Sequence, residues 1–378
     1  MIKKKIYYGK AIYGKEEINA SIKVLRNSSL SLMDGNNVKK LEKKVAEIFG
    51  KKFGLMVNSG SSANLLGLAS LNLRERSEVI TPSLTFSTTI SPLYHLNLIP
   101  SFIDVKKDFF VANVDQIEKC INKNTSAIMI PNLLGNIPDW QQIYKIAKKY
   151  KLKIIEDCAE SHGVEYKGKK VGSIGDVGVF SFFSNKTITC GEGGMIVTNS
   201  LKLAKKARLL KNLAYGIKNR FMHSDIGFNY RMSNISAALG LGQLKNISSK
   251  LKEKKRIYSR YKKNLKNIKG IKIPKIKDRT SNFIMWLFNI YLEKNFPISR
   301  NELVKILEKK GIETRNAFVP INKQKVLIKK YKTYKRYNCI NSNYIMNNGF
   351  YLPSGNNITN QQIDKICKII STIALKSK

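Results

Sequence analysis

Residues 152–199 read LKIIEDCAESHGVEYKGKKVGSIGDVGVFSFFSNKTITCGEGGMIVTN, and this stretch decides how the rest of the chain is interpreted. A β-branched run ends in the carboxylate pair Glu156 and Asp157, and a second apolar run ends at Ser181, shortly before an isolated Lys186. Charged side chains at the ends of buried strands are costly unless they are used, and α/β enzymes bind ligands at the carboxyl edge of a parallel sheet. The stretch therefore predicts two neighbouring strands with an active site where they end.

A second candidate binding segment lies earlier in the chain. A predicted strand over 54–57 runs into the turn Gly60-Ser61-Ser62 and then into an apolar helix. Amides at a helix N-terminus, assisted by serine hydroxyls, bind phosphate well, although serine capping alone also explains such a turn. Phe86 follows in the next strand-helix unit, where its ring could stack on a planar cofactor or pack in the core.

Strands and helices alternate over most of the first 245 residues. Strands are predicted at 78–81, 99–104, 126–131, 154–157 and 177–183, and helices at 36–50, 85–96, 139–150, 201–213 and 235–244. This alternation predicts an α/β fold with a mostly parallel sheet covered on both faces. Beyond it the pattern is mixed: a long helix from about 251, a strand-like run over 283–292, a helix over 299–310 and a last helix over 361–375. We therefore predict a large domain over 1–245, whose N-terminal segment can pack on a smaller α+β domain over 246–378.

The net charge of +42 is the most unusual feature of the composition. Such a charge attracts polyanions, so a nucleic-acid partner has to be considered. The lysines, however, are scattered along nearly every segment, and the densest basic run, 250–277, also carries Ile257, Tyr261 and Leu265 at helical spacing. We interpret most of these charges as solvated faces and do not expect nucleic-acid binding.

The cysteines and the apolar segments indicate the compartment. Five cysteines, without a CxxC pair, favour free thiols in a reducing compartment over disulfides or a metal site. No segment approaches eighteen uninterrupted apolar residues, and the N-terminus lacks the apolar core of a secretory signal. We expect a cytoplasmic protein with no membrane span and no metal.

The candidate residues together indicate one cofactor. A partly desolvated lysine can form a Schiff base, and an aspartate on the adjacent strand can hold a pyridine nitrogen protonated, which makes the ring an electron sink. A serine hydroxyl and a helix N-terminus can hold a phosphate. No one of these features is specific, but in combination they predict pyridoxal 5'-phosphate.

At these residues the chain resembles the sugar-nucleotide aminotransferases of the DegT/StrS type. The resemblance covers roughly residues 12–370 and is carried, in the same order, by NSGSSANLLGL (58–68), IIEDCAESHG (154–163), SFFSNKTITCGEGGMIVT (181–198) and GFNYRMSNISAALG (227–240). Within the family it is most similar to the branch that aminates GDP-4-keto-6-deoxymannose at C4, giving GDP-perosamine.

The resemblance implies a pyridoxal-phosphate enzyme of the aspartate-aminotransferase fold. It implies a three-layer α/β/α large domain with a mostly parallel seven-stranded sheet, a smaller α+β C-terminal domain, and a homodimer with sites at its interface. Lys186 would form the Schiff base, Asp157 would pair with the pyridine nitrogen, and Phe86 would stack on the ring.

The remaining site residues also follow from the resemblance. Ser181 and the turn of Gly60, Ser61 and Ser62 would hold the phosphate, while Glu160 would lie near the 3-hydroxyl of the cofactor. Asn229 and Arg231 would reach the phosphate from the partner subunit, across the interface. The weaker candidates for substrate contact are His162, Tyr215, Arg220 and Arg315.

The implied reaction moves an amino group from an amino acid, glutamate being expected, to a nucleotide-linked keto sugar for surface polysaccharides such as lipopolysaccharide O-antigen. A UDP- or dTDP-linked sugar is an alternative, as is 3-dehydration, whose family members carry histidine in place of Lys186. A basic regulator without activity is a third interpretation, and it predicts the loss of cofactor residues. The nucleotide, the position aminated and the stereochemistry stay open, because selectivity would reside in loops such as 214–225 and 323–338.

Overall fold

The computed structural model describes residues 5–27, 31–216, 218–330 and 338–375. The helices are α1 (Lys15–Arg26), α2 (Asn36–Ile48), α3 (Gly60–Ser70), α4 (Ser87–His95), α5 (Ile117–Cys120), α6 (Trp140–Lys149), α7 (Leu201–Lys211), α8 (Asn234–Lys245), α9 (Ile247–Leu265), α10 (Arg300–Lys309), α11 (Lys325–Lys330), α12 (Ile340–Asn348) and α13 (Asn360–Leu375). The strands are β1 (Phe53–Val57), β2 (Glu78–Pro82), β3 (Ile99–Ile103), β4 (Val105–Lys106), β5 (Val111–Ala112), β6 (Thr125–Pro131), β7 (Lys153–Asp157), β8 (Glu165–Tyr166), β9 (Lys169–Lys170), β10 (Val177–Ser181), β11 (Gly194–Thr198), β12 (Ile271–Lys272), β13 (Thr280–Asn282), β14 (Phe288–Leu292), β15 (Arg315–Asn316) and β16 (Gly349–Leu352).

A seven-stranded sheet in the order β1-β11-β10-β7-β6-β2-β3 forms the centre of the molecule. All neighbouring pairs are parallel except the two that involve β11, which runs antiparallel to β1 and to β10. The predicted mostly parallel seven-stranded sheet is confirmed. The parallel strands present their carboxyl ends at one edge, and this edge carries the candidate site.

Helices cover both faces of the sheet because each has one apolar side. On one face, α2, α6 and α8 pack on the sheet, and α6 buries Trp140, Ile143 and Ile146 at helical spacing. On the other face, α3, α4 and α7 do the same. Side chains of β10 are buried throughout, as expected for a central strand covered on both faces.

A second, antiparallel sheet in the order β12-β14-β16-β15 lies in the C-terminal part of the chain, with α9, α10 and α13 contributing to its core. The strand predicted over 283–292 was wrong in its first half. Only Phe288–Leu292 is a strand, because residues 284–286 are buried against the turn that follows β6 instead of pairing with a strand. Trp286 N donates to Leu134 O at 3.2 Å in this contact.

The N-terminal segment contacts the C-terminal part of the chain. Ile6 N donates to Gly311 O at 2.8 Å, and Glu313 N donates to Ile6 O at 2.9 Å. On these contacts and on the separate core of the second sheet, we propose a domain boundary near residue 245, with the N-terminal segment packed on the smaller domain. Among the described residues, no helix is long and apolar enough to cross a membrane.

Candidate active site

The carboxyl ends of the central strands bring the predicted site residues together. Asp157 ends β7 and Ser181 ends β10, two neighbouring parallel strands. The turn after β1 lies against the same edge, since a Cβ added to Gly60 would lie 2.6 Å from Ser181 Cβ. At the start of β11, a Cβ on Gly194 would lie 2.1 Å from Ser59 O, so only glycine allows the turn to lie this close to the strand.

Three donors fix the orientation of Asp157, which is 5% exposed. Thr89 Oγ1 donates to Asp157 Oδ2 at 2.8 Å, Asn64 Nδ2 donates to the same oxygen at 3.1 Å, and Ala159 N donates to Oδ1 at 3.1 Å. Sequence reasoning missed Thr89 and Asn64. The one available signal was Asn64 itself, an amide among the mostly apolar buried residues of α3.

The expected carboxylate pair at the end of β7 does not act as a pair. Successive side chains of a strand point to opposite faces, so Glu156 lies on the far side from Asp157. Glu156 is fully buried and accepts from the backbone N–H groups of Gly172, Ile174 and Gly175 at 2.7, 2.6 and 2.6 Å, and burial raises the pKa of its carboxyl. It fastens the 172–175 loop, and only Asp157 belongs to the site.

Lys186 lies in the loop after β10, and its side chain is only 10% exposed. Its Nζ is 3.6 Å from Glu160 Oε1 and 3.6 Å from the centroid of the Trp286 ring. Burial lowers the pKa of the Lys186 amine, and the carboxylates of Glu160 and Asp157 oppose that shift. Burial likewise raises the pKa of Glu160, which Lys186 opposes. The free-amine fraction of Lys186 is therefore larger than that of a surface lysine, as a nucleophile requires.

Two residues that contact the loop of Lys186 had no sequence signal, Trp286 and Tyr8. Trp286 Nε1 donates to Asn185 O at 2.9 Å, and Asn185 Nδ2 donates to Tyr8 Oη at 3.0 Å. Arg315 lies with its guanidinium 4.3 Å from the Tyr8 ring centroid. Arg315, a weaker candidate from the sequence, thus contacts Tyr8, and Tyr8 contacts Asn185 in the loop that carries Lys186.

The serine turn caps helix α3. Ser59 Oγ accepts from Ser62 N at 3.1 Å and lies 2.9 Å from Ser62 Oγ. The hydroxyl of Ser62 is thus engaged in the cap, while Ser61 is exposed at the helix N-terminus. Both interpretations of the turn, capping and an anion seat, are compatible with this geometry.

Phe86 and His162 differ in exposure. Phe86 is 50% exposed at the start of α4, 5.7 Å from the Phe318 ring, which leaves part of its ring free. His162 is 3% exposed and stacks on Phe182 at 5.2 Å. Burial lowers the pKa of His162 to about 3, so its ring stays neutral at neutral pH, which favours packing over proton transfer.

The remaining candidates lie at the surface of the isolated chain. Arg231 Nε and Nη2 donate to Asn229 Oδ1 at 3.2 and 3.0 Å, beside Asn58 at the end of β1. Arg220 lies 4.7 Å from the Tyr215 ring centroid. No contact of Tyr215 or Arg220 with Lys186, Asp157 or Glu160 is found within the described part of the chain, so this chain alone does not bring these two residues into the site.

A buried lysine amine and a buried, donor-held carboxylate at the carboxyl edge of a mostly parallel seven-stranded sheet define a pyridoxal-phosphate-dependent transferase. The chain belongs to the DegT/DnrJ/EryC1/StrS aminotransferase family, which matches residues 12–371. It is accordingly a pyridoxal-phosphate-dependent sugar aminotransferase.

The similar proteins include aminotransferases and a 3-dehydratase. A GDP-perosamine synthase from Escherichia coli O157:H7 is 36% identical over 337 residues, which are 89% of this chain and 90% of that protein. The solved structure of Helicobacter pylori PseC, an aminotransferase involved in the biosynthesis of pseudoaminic acid, matches with a TM-score of 0.90 at 27% identity, over 99% of this chain and 100% of its own. A mutant of GDP-4-keto-6-deoxymannose-3-dehydratase (ColD) with bound GDP-perosamine matches with a TM-score of 0.89 at 26% identity, over 97% and 100%.

The residues present fit the cofactor. The Lys186 amine is 3.6 Å from Glu160 Oε1, and no closer polar contact of this amine is found among the described residues. Asn64 Oδ1, beside Asp157, is buried without a partner among the described residues. The Gly60 turn lies in contact with Ser181, so backbone amides of the turn and the serine hydroxyl lie together, as binding of a phosphate requires.

Proposed function

We propose that the chain transfers the amino group of L-glutamate to GDP-4-keto-6-deoxymannose and forms GDP-perosamine for a surface polysaccharide. The observation that carries this proposal is the buried Lys186 amine, 3.6 Å from Glu160, in a chain 36% identical to a GDP-perosamine synthase. Lysine at this position distinguishes transamination from 3-dehydration.

Each site residue has one task in this proposal. Pyridoxal phosphate, when bound, supplies an electron sink for the carbon that carries the amino group. Lys186 would hold the cofactor covalently, and its amine, when free, would move the proton between Cα of the amino acid and the cofactor. Asp157, oriented by Thr89 and Asn64, holds the proton on the pyridine nitrogen. Keto-sugar amination runs the same proton transfer in the opposite direction.

Binding rests on the other groups at the sheet edge. Ser181 with the turn of Gly60, Ser61 and Ser62 holds the phosphate, since these residues lie in contact at the helix N-terminus. The half-exposed Phe86 would cover the ring, and Glu160 would hold the 3-hydroxyl. Arg315 is proposed to bind an anionic group of a substrate.

We also propose a homodimer with shared sites. In the isolated chain Asn229 is exposed and Arg231 is bonded to it. Arg220 is exposed as well, together with the other residues of 218–225, and Tyr215 is half-buried. A second subunit placed on these residues would give them a cofactor phosphate or a substrate to bind.

The product tests this function. Purified protein is incubated with pyridoxal phosphate, L-glutamate and GDP-4-keto-6-deoxymannose, and the nucleotide sugar is analysed by mass spectrometry. We expect exchange of the 4-keto oxygen for an amino group, and Lys186→Ala as the matched control should give none. Loss of the 3-hydroxyl oxygen without amination would establish the dehydratase alternative. Amination only of UDP- or dTDP-linked ketones would replace the substrate and keep the reaction.

A further inference from the structure

The groups that surround the Lys186 amine are also hydrogen-bonded to one another and to the loop that carries Lys186. The amine faces Glu160 Oε1 on one side and the Trp286 ring on the other, both at 3.6 Å. Leu134 links the two, because its N donates to Glu160 Oε2 at 2.9 Å and its O accepts from Trp286 N at 3.2 Å. Trp286 Nε1 donates to Asn185 O, in the loop that carries Lys186, at 2.9 Å.

Trp286 is held in place by Lys254 and by the turn after β6. Lys254 of α9 is buried and donates to Trp286 O at 2.8 Å and to Ser354 O at 2.7 Å. Gly135, next to Leu134, has a φ of +90°, and a Cβ there would lie 2.1 Å from Ile284 O. The segment that carries Trp286 therefore lies tightly against the turn after β6, and the indole has little freedom to leave the lysine.

The indole differs from the other groups around the amine. An aromatic face attracts a cation but accepts no proton, whereas a carboxylate attracts the cation and can take its proton. The ionisable groups near Lys186 are Glu160, Asp157 and His162, and burial keeps His162 neutral at neutral pH. Tyr351, which lies near Glu160, is neutral as well because burial raises the pKa of its phenol.

We propose that the face of Trp286 and the carboxylate of Glu160 form a receiving site for the Lys186 amine whenever that amine is not bonded to the cofactor. The inference rests on the proposed role of Lys186. During transamination the released amine removes a proton from the amino acid and becomes an ammonium. The ring stabilises this ammonium without taking its proton, so the proton remains available for C4'. Trp286 acts through Lys186 and is a positioning residue.

The test is a titration of cofactor-free protein that carries lysine labelled with ¹³C at Cε. The Lys186 resonance is assigned by its absence in Lys186→Arg, and its midpoint is followed by NMR. In Trp286→Leu we expect the Lys186 ammonium to dissociate at lower pH than in the wild type, with its acid dissociation constant raised several-fold, because the aromatic face no longer stabilises the cation. Trp286→Phe keeps a ring and should restore most of the difference.

Glu160→Gln serves as the reference variant, since removal of a carboxylate also lowers the titration midpoint of Lys186. Thermal unfolding of each variant reports on the fold, and Trp286→Met replaces Trp286→Leu if the latter does not fold. Equal midpoints in the wild type, the leucine or methionine variant and the phenylalanine variant would overturn the proposal. The titration uses neither cofactor nor sugar, so its outcome is independent of whether the proposed substrate is right.

Turnover provides a second readout. Trp286→Leu should lower kcat of the glutamate half-reaction about tenfold with an unchanged KM for glutamate, and Trp286→Phe should recover most of it, since the amine and not the substrate has lost its neighbour. A change in KM alone would assign Trp286 to substrate binding and contradict the proposal.

Discussion

At the residue scale, Asp157 shows how one carboxylate is selected from two. The two adjacent carboxylates of β7 are both buried, but Asp157 takes side-chain donors at the sheet edge and Glu156 takes backbone donors from a loop. Burial of a carboxylate is tolerated only with such donors. From this difference in partners we propose that Asp157 serves the chemistry and Glu156 the stability of the fold.

Asp157→Asn tests that division. A neutral amide cannot keep the pyridine nitrogen protonated, so we expect kcat to fall on the order of 10²- to 10³-fold while some cofactor stays bound. The matched control is Glu156→Gln, which should leave kcat near the wild-type value and lower the free energy of unfolding, because its amide cannot accept all three N–H groups. Comparable kcat losses in both variants would contradict the assignment.

The sequence allowed the prediction of Asp157, Lys186 and Ser181 because each follows a recognisable apolar run. Trp286 and Tyr8 reach the site from segments about one hundred and about 180 residues away along the chain from Lys186. No local periodicity encodes such a contact. Thr89 was missed for a related reason, since a threonine in the first turn of a helix is ordinary until its acceptor is known.

At the element scale, the alternation of strands and helices was sufficient to predict the parallel sheet, because each βα unit carries its own signal. Neither the strand β11 nor its antiparallel direction was predicted from the residues, and a buried strand has the same pattern in either direction. The run over 283–292 was misjudged because an apolar segment has the same composition whether it is buried in a sheet or against a turn.

Gly60 tests the contact between two elements. A Cβ there would lie 2.6 Å from Ser181 Cβ and 2.8 Å from Ser181 Oγ, so Gly60→Ala must displace the turn or the serine. We expect the Kd for pyridoxal phosphate, measured by fluorescence titration, to rise about tenfold, which is about 1.4 kcal/mol. Gly67→Ala, in the same helix but against Val177 and Val179 at 3.2 and 3.3 Å, should leave the Kd unchanged. An equal rise of the Kd in both variants would show that Gly60 is not part of the phosphate-binding site.

At the scale of the whole molecule, Lys254 joins α9 to the segments that carry Trp286 and Ser354 without a carboxylate partner among the described residues. Burial lowers the pKa of Lys254 to about 7 from its ordinary 10.5. From pH 7 to 10.5 the unfolded chain therefore binds a proton that the folded chain does not, so stability rises with pH across this window.

Lys254→Met isolates that contribution. Relative to the variant, the wild type should gain stability toward alkaline pH at about 1.4 kcal/mol per unit within the window, and the difference should level off below about pH 7. Urea unfolding at a series of pH values measures it. A flat difference would show that the amine is charged in the folded protein.

Shared sites in a dimer predict complementation between two defective subunits. Lys186→Ala and Arg231→Ala should each be weakly active alone. If Arg231 serves the partner's site, half of the randomly assembled dimers carry one intact site of two, and the mixture should recover about a quarter of the wild-type activity. If Arg231 serves its own chain, every site in a mixed dimer keeps one defect and no activity returns.

The most direct test of the account is the visible absorption of the purified protein with pyridoxal phosphate, recorded before and after glutamate and then after GDP-4-keto-6-deoxymannose. We predict a yellow band from lysine-bound cofactor that bleaches with glutamate and returns with the sugar, and no such band in Lys186→Ala. Absence of the band in the wild type, or a band and bleaching that persist in Lys186→Ala, would contradict the central claim that Lys186 holds the cofactor and moves the proton.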